Sequence, residues 1–157
     1  ELLLDRLDVP PALILAGTGP YQNLVEEAAE KFEHVHFKGF ISSKEEMAEY
    51  YASSDLGFAL SSWETFGLSL VEALSSGLPL IAAGEGAARE HIEKSYAGII
   101  LDEVTEESLA NAIVQFGKMD PKELAAKARS YASELSWSHC FDRQLEIYRE
   151  AVGIEER

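Results

Sequence analysis

Cysteine is almost absent from this 157-residue chain. The single one, Cys140, excludes an internal disulfide and any cysteine-cluster metal site, and it fits a reducing, cytoplasmic compartment. Basic residues are also scarce: 13 Lys and Arg stand against 28 Asp and Glu, a formal charge of −15. A surface this acidic repels phosphate backbones and anionic lipid, which argues against bulk nucleic-acid or membrane-surface binding. No apolar run approaches the ~20 residues that span a bilayer. Residues Glu1 to Leu7 lack the basic start and apolar middle of a signal peptide. Low-complexity segments, repeats and flexible linkers are missing too, so one domain is expected. The chain begins at Glu1 without a methionine and is expected to be a piece of something longer. Core-forming residues are plentiful: 46% are hydrophobic, too many for a disordered tail.

Short apolar runs alternate with amphipathic stretches over the first two thirds of the chain. Strands are expected at Ala12–Ala16, Val35–Phe37, Leu56–Leu60, Leu80–Ala82 and Gly98–Leu101. Between them, helical spacing covers Tyr21–Phe32, where Leu24, Val25, Ala28, Ala29 and Phe32 share one side, and Lys44–Ala52, capped by Ser42 or Ser43. Further helices are expected at Gly67–Ser76, with Gly77 as C-cap, and at Ala87–Glu93. Three helices close the chain, at about Glu106–Phe116, Pro121–Leu135 and Ser138–Val152, Pro121 standing in a first helical turn. Strands of near-continuous Ile, Leu and Val alternating with helices predict an α/β fold with a Rossmann-like parallel sheet covered on both faces and a helical C-terminal tail.

Ligands of open parallel sheets bind outside the carboxyl ends of the strands. The loops leaving those ends are Gly17–Pro20, Gly39–Ser42, Ser61–Phe66 and Ala83–Gly86, which gather glycine, small hydroxyl residues and Glu64 on one edge. Gly17-x-Gly19 after a strand and before a helix suggests phosphate contact through backbone N–H groups. The same residues serve equally as a plain tight turn, and Gln22 stands where a dinucleotide fingerprint has its third glycine. Glu64 precedes the helix that starts near Gly67, and Glu72 falls in its second turn, inside the apolar run Leu68–Leu74. A buried, unpaired carboxylate costs several kcal/mol or shifts its pKa, so Glu72 makes sense as an acceptor for ligand hydroxyls. The plainer alternative leaves Glu72 in solvent and gives Glu64 the cap of the helix.

The run Ser61-x-x-Glu64-Thr65-Phe66-Gly67-Leu68-Ser69-Leu70-Val71-Glu72-Ala73-Leu74-x-x-Gly77-x-Pro79 resembles the E-x7-E signature of retaining family 4 glycosyltransferases. Leu15–Pro20 is similar to their GxGP turn, and Phe37–Ile41 to their F-x-G turn. Ala52–Leu56, Gly86–Glu90, Gly98–Leu101 and the closing Ser136-Trp137 follow in the family's order.

The resemblance implies a GT-B fold, two Rossmann-like domains around a cleft, with residues 1–157 as the C-terminal, donor-binding domain. It implies that Glu72 holds the ribose hydroxyls of a UDP- or GDP-type nucleotide sugar and that Glu64 contacts the donor sugar near the reacting centre. The backbone around Thr65, Phe66, Gly67 and Leu68 would meet sugar hydroxyls and diphosphate, Phe40 and Ile41 would read the base, and Gly17 and Gly19 would line the pocket. Sugar transfer would retain the anomeric configuration, with no cofactor and no metal; the sequence has no D-x-D motif. The acceptor would be chosen by the absent N-terminal domain, which is also where any membrane association of the parent enzyme would arise.

The family also places a strand, and an Arg and Lys that neutralise the diphosphate, ahead of where this chain begins. In the sheet order 3-2-1-4-5-6 that strand lies between Ala12–Ala16 and Leu56–Leu60. A gap, a rearranged pairing or a borrowed strand is therefore expected there. The remaining polar residues read as ordinary: His34, His36, His91 and His139 in structural or surface roles, Cys140 as a packing residue, and the Glu26-Glu27, Glu45-Glu46, Glu106-Glu107 and Glu155-Glu156 pairs as solvated faces. Glu90 either matches a family glutamate or only serves its own helix, and nothing in the pattern requires Arg89 near a phosphate. The rival readings are a non-catalytic nucleotide-sugar-binding module, another GT-B enzyme such as a sugar-nucleotide epimerase, and, least favoured, a nicotinamide dehydrogenase.

Overall fold

Strand and helix alternate in the order the apolar runs predict. A computed structural model describes residues 6–7, 9–61 and 63–153. Its elements are β1 Leu13–Leu15, α1 Gln22–Lys31, β2 Val35–Phe37, α2 Lys44–Ser53, β3 Gly57–Ala59, α3 Leu68–Ser75, β4 Leu80–Ala83, α4 Ala87–Ser95, β5 Gly98–Leu101, α5 Glu106–Phe116, α6 Pro121–Glu134 and α7 Trp137–Val152. Local chemistry sets the helix starts. The Ser43 hydroxyl accepts from the Glu46 N–H at 3.1 Å, Thr105 and Ser108 cap one another reciprocally, and Asp120 caps α6 with Pro121 in its first turn.

All strand pairs are parallel. Among the described residues they form two hydrogen-bonded pieces, β1–β2 and β3–β4–β5. No strand ladder joins β1 to β3 among the described residues.

The core belongs to the second piece. All four residues of β4 are buried. Leu80 and Ala82 pack with Leu74, Leu78, Ala88, Ile92, Ala128 and Ala132, which come mainly from α3, α4 and α6. Ile81 and Ala83 pack on the other side with Leu101 and with Ala112 and Ile113 of α5. Alternate side chains of a strand point to opposite faces, so β4 is covered twice. Gly98 explains how closely β5 approaches, because a Cβ there would stand 1.9 Å from the Leu80 carbonyl oxygen.

Two-sided cover does not extend to every strand. Ile14 at the centre of β1 and Phe58 at the centre of β3 are exposed, and α1 buries no residue, with Leu24 more than half exposed. α7 likewise buries none, and Trp137, Phe141, Leu145, Tyr148 and Val152 are exposed along it. Cys140, expected as a packing residue, is exposed on the same helix, because among the described residues nothing covers α7 enough to bury any of its side chains. The glutamates of the pairs at 26–27, 45–46 and 106–107 are exposed, whereas Glu155 and Glu156 lie outside the described residues.

Candidate functional site

Beyond β3 the chain leaves the carboxyl edge of the sheet and turns back into α3 (Ser62 of this turn lies outside the described residues). The turn closes on Gly67, a left-handed residue with φ 77° and ψ 64°. A Cβ at Gly67 would lie 2.7 Å from Leu70 Cδ1 and 3.0 Å from Glu64 Cγ, so both backbone and space require glycine. Glycine at this cap also leaves α3 with no side-chain cap, so the positive end of its dipole is offered to whatever lies outside.

Two residues of α4 grip the turn. The Ala87 N–H donates to the Glu64 carbonyl at 3.2 Å, and one helical turn on, His91 Nε2 lies 2.6 Å from the Phe66 carbonyl oxygen. The His91 ring is 4% exposed and its Nδ1 is 2.8 Å from the Tyr131 hydroxyl of α6. Glu64 is half-buried as a residue and its carboxylate accepts from the Thr65 N–H at 3.1 Å, while Thr65, Phe66 and Leu68 are exposed. His91 falls within the structural role expected of the histidines, but its link to this turn was not foreseen. The signal available was its place among the apolar positions of α4, between Ala88 and Ile92.

Glu72 is exposed rather than buried. The burial argument for it therefore fails: α3 packs through Ala73 and Leu74 and leaves Glu72 turned outward. The pKa of Tyr51 on α2 is raised, first by burial and then by the charge of Glu72.

The remaining predicted residues collect on the β1–β2 piece. The Gly17 N–H donates to the Gly39 carbonyl at 2.7 Å, and both glycines have positive φ, 126° and 64°. Gly19 accepts from the Gln22 N–H at 3.1 Å as α1 begins. Phe40 is exposed and Ile41 half-buried. The Gly17–Gly19 and Phe40–Ile41 loops are thus joined to each other, and Glu64 to Leu68 are joined to α4. Among the described residues no hydrogen bond links the two groups.

An open groove beside Glu64 and Thr65 is lined further by Glu85, Gly86, Ala87, Arg89, Glu90 and Glu93. Arg89 is engaged by Glu93 at 3.0 Å and Asp102 at 3.3 Å, and their hydrogen bonds raise its pKa. Glu90 pairs with Lys94 at 2.5 Å, which lowers the pKa of the carboxyl. Among the described residues, no three His, Cys, Asp or Glu side chains group as a metal site, and no helix is long and apolar enough to cross a membrane.

Similarity to known proteins covers most of this framework. The chain is 35% identical over 110 residues to the D-inositol 3-phosphate glycosyltransferase of Rhodococcus erythropolis, covering 69% of this chain and 25% of that protein. It is 33% identical over 145 residues to the alpha-monoglucosyldiacylglycerol synthase of Streptococcus pneumoniae, covering 89% and 32%. The chain therefore spans about a quarter to a third of these curated relatives. The crystal structure of HepE from Anabaena in complex with UDP superposes with a TM-score of 0.70 at 26% identity, over 96% of this chain and 44% of HepE. Parallel strands flanked by helices, as in GT-B glycosyltransferases, are common to both. The profile of the family described as "Glycosyl transferases group 1" matches residues 1–135. On that match, and on relatives a third identical, the chain belongs to the group 1 glycosyl transferases.

Proposed function

We propose that this chain is the C-terminal, donor-binding domain of a cytoplasmic, retaining glycosyltransferase that takes a UDP- or GDP-type sugar. The observation that carries the reading is the Glu64–Gly67 turn. It sets the uncapped start of α3 and the Glu64 carboxylate side by side at the carboxyl edge of a parallel sheet. N–H groups at a helix start, with the positive dipole end behind them, suit a diphosphate. The bond from the anomeric carbon to the diphosphate oxygen breaks as the bond to the acceptor oxygen forms, charge grows on the departing diphosphate, and the acceptor hydroxyl gives up its proton to that departing group. Donors already aimed at that charge lower the barrier.

In this reading Phe66, Gly67 and Leu68 supply those N–H groups, Thr65 flanks them, and Glu64 accepts a donor-sugar hydroxyl. Glu72 accepts the ribose hydroxyls, for which its exposure is suitable. Phe40 and Ile41 present backbone to the base, and Gly17 and Gly19 line the pocket. HepE was crystallised with UDP and with UDP-glucose, at 26% and 29% identity to this chain, which supports the choice of donor. No metal or cofactor is invoked; a second domain would bring the acceptor and decide any membrane contact. A strand from outside the present chain, with cationic residues for the diphosphate, would fill the interruption between β1 and β3.

The test is a thermal-shift panel of UDP, GDP, ADP and their sugar conjugates on wild type and Glu72→Ala. Ligand at 100 times its dissociation constant stabilises by about 2.7 kcal/mol, enough to move a melting transition visibly. A shift with one base, lost in Glu72→Ala, is the expected result. A shift that survives the substitution unchanged removes Glu72 from the site.

A further inference from the structure

We infer that His91, oriented by Tyr131, is the positioning residue that aims the backbone of the Glu64–Gly67 turn. The inference rests on the donor-site reading above for its purpose, though not for its geometry. A carbonyl oxygen only accepts, so at 2.6 Å His91 Nε2 must carry the proton. With a single proton on the ring, Nδ1 is then the acceptor and takes the Tyr131 O–H at 2.8 Å. Both nitrogens are engaged and the ring is 4% exposed, so tautomer and orientation are fixed together. Edge-on packing against Phe66 at 5.5 Å and Tyr131 at 5.7 Å holds the ring from two sides.

The consequence follows from peptide planarity. The Phe66 carbonyl and the Gly67 N–H belong to one trans peptide and point in opposite directions. Drawing the carbonyl inward to His91 turns the Gly67 N–H outward, away from α4. The same lever acts two residues earlier. Ala87 holds the Glu64 carbonyl at 3.2 Å, and the opposed Thr65 N–H of that peptide holds the Glu64 carboxylate at 3.1 Å. One face of α4 thus sets both a backbone donor and a carboxylate of the proposed site. An apolar residue at 91 would fill the space as Ala88 and Ile92 do nearby, but would leave the Phe66 carbonyl unheld.

The experiment compares wild type with His91→Ala, His91→Gln and Tyr131→Phe, using Glu72→Ala as control. The first readout needs no ligand: long-range 15N spectra of the free chain should find the proton on Nε2 of His91. Amide exchange at Ala87, whose partner is the Glu64 carbonyl, should quicken about tenfold in His91→Ala while β4 amides keep their rates. Glutamine, which can still donate to the Phe66 carbonyl, should restore most of that protection. The second readout is UDP affinity, expected to fall about tenfold in His91→Ala, to recover to within about threefold in His91→Gln, and to lie between in Tyr131→Phe. A proton on Nδ1, or Ala87 exchange and UDP affinity unmoved by the substitutions, overturns the inference. Should His91→Ala fail to fold, Tyr131→Phe and His91→Gln decide it by the same signals. If neither this chain nor one extended at its N-terminus by the cationic strand proposed above binds any of the nucleotides while tautomer and exchange behave as expected, the donor-site reading falls and the positioning role stands.

Discussion

β1 and β4 are nearly the same apolar word, Leu-Ile-Leu against Leu-Ile-Ala-Ala, yet Ile14 is 39% exposed and Ile81 is 0% exposed. Composition does not separate them; neighbours do. β4 has a strand on each side, three helices on one face and α5 on the other, whereas among the described residues β1 pairs with β2 alone. Among the described residues, every buried one lies between Ala59 and Ala132. Apolarity makes a strand eligible for a core, and a second layer makes it part of one. Two parallel strands with one open face are marginal by themselves. The division also falls across the proposed site: the phosphate-facing turn stands on the packed piece, and the base-facing loops stand on the thin one.

The sharpest way to break this contrast is a matched pair of truncations. Leu74 is 0% exposed at the centre of the packed piece, so Leu74→Ala should cost about 2–5 kcal/mol in urea denaturation. Ile14→Ala, at a site already partly in water, should cost less than about 1.5 kcal/mol. Equal losses would mean that both pieces share one core, and the distinction would go.

Gly67→Ala comes next in size and tests the seam. Forcing a Cβ into the left-handed conformation costs about 1–2 kcal/mol, before the collisions with Leu70 and Glu64 are relieved. Stability should fall by at least that amount, and nucleotide binding should fall further than stability alone accounts for. A variant as stable as wild type that still binds UDP would show that the turn is not held as described.

Much of this layout was legible in the residues. Glycine and proline punctuation with helical spacing located every element within a residue or two, because capping and periodicity are local physics. The Glu64–Gly67 turn was legible for the same reason. Burial was not: α1 has the right stripe in Leu24, Val25 and Ala28, but a stripe does not say whether anything lies opposite it. Glu72 misled in the same way, since an acidic residue in an apolar run marks a face and not its depth. His91 was invisible as a lever because its partners, Phe66 and Tyr131, lie 25 and 40 residues away. No spacing rule joins them.

The smallest expected effect asks whether charge or packing holds the β3–β5 piece. Glu90 and Lys94 sit four residues apart on α4 at 2.5 Å, with most of both side chains in solvent. The hydrogen bond and charge of Lys94 lower the Glu90 pKa from its ordinary 4.5, and those of Glu90 raise Lys94 above 10.5. A carboxyl with a depressed folded pKa stabilises the fold above its ordinary value and loses that contribution as pH falls through the folded one. A raised ammonium contributes below its ordinary value and loses its share as pH rises through the folded one. The pair is therefore fully present only between those limits. Even there, exposure and salt screening should leave almost nothing to measure. Glu90→Gln should shift the melting temperature at neutral pH by no more than experimental error in 0.15 M salt, and should remove only a small part of the acid limb of stability. A loss approaching that of Leu74→Ala would make ion pairing on α4, rather than the two-sided cover of β4, the force that distinguishes the two pieces.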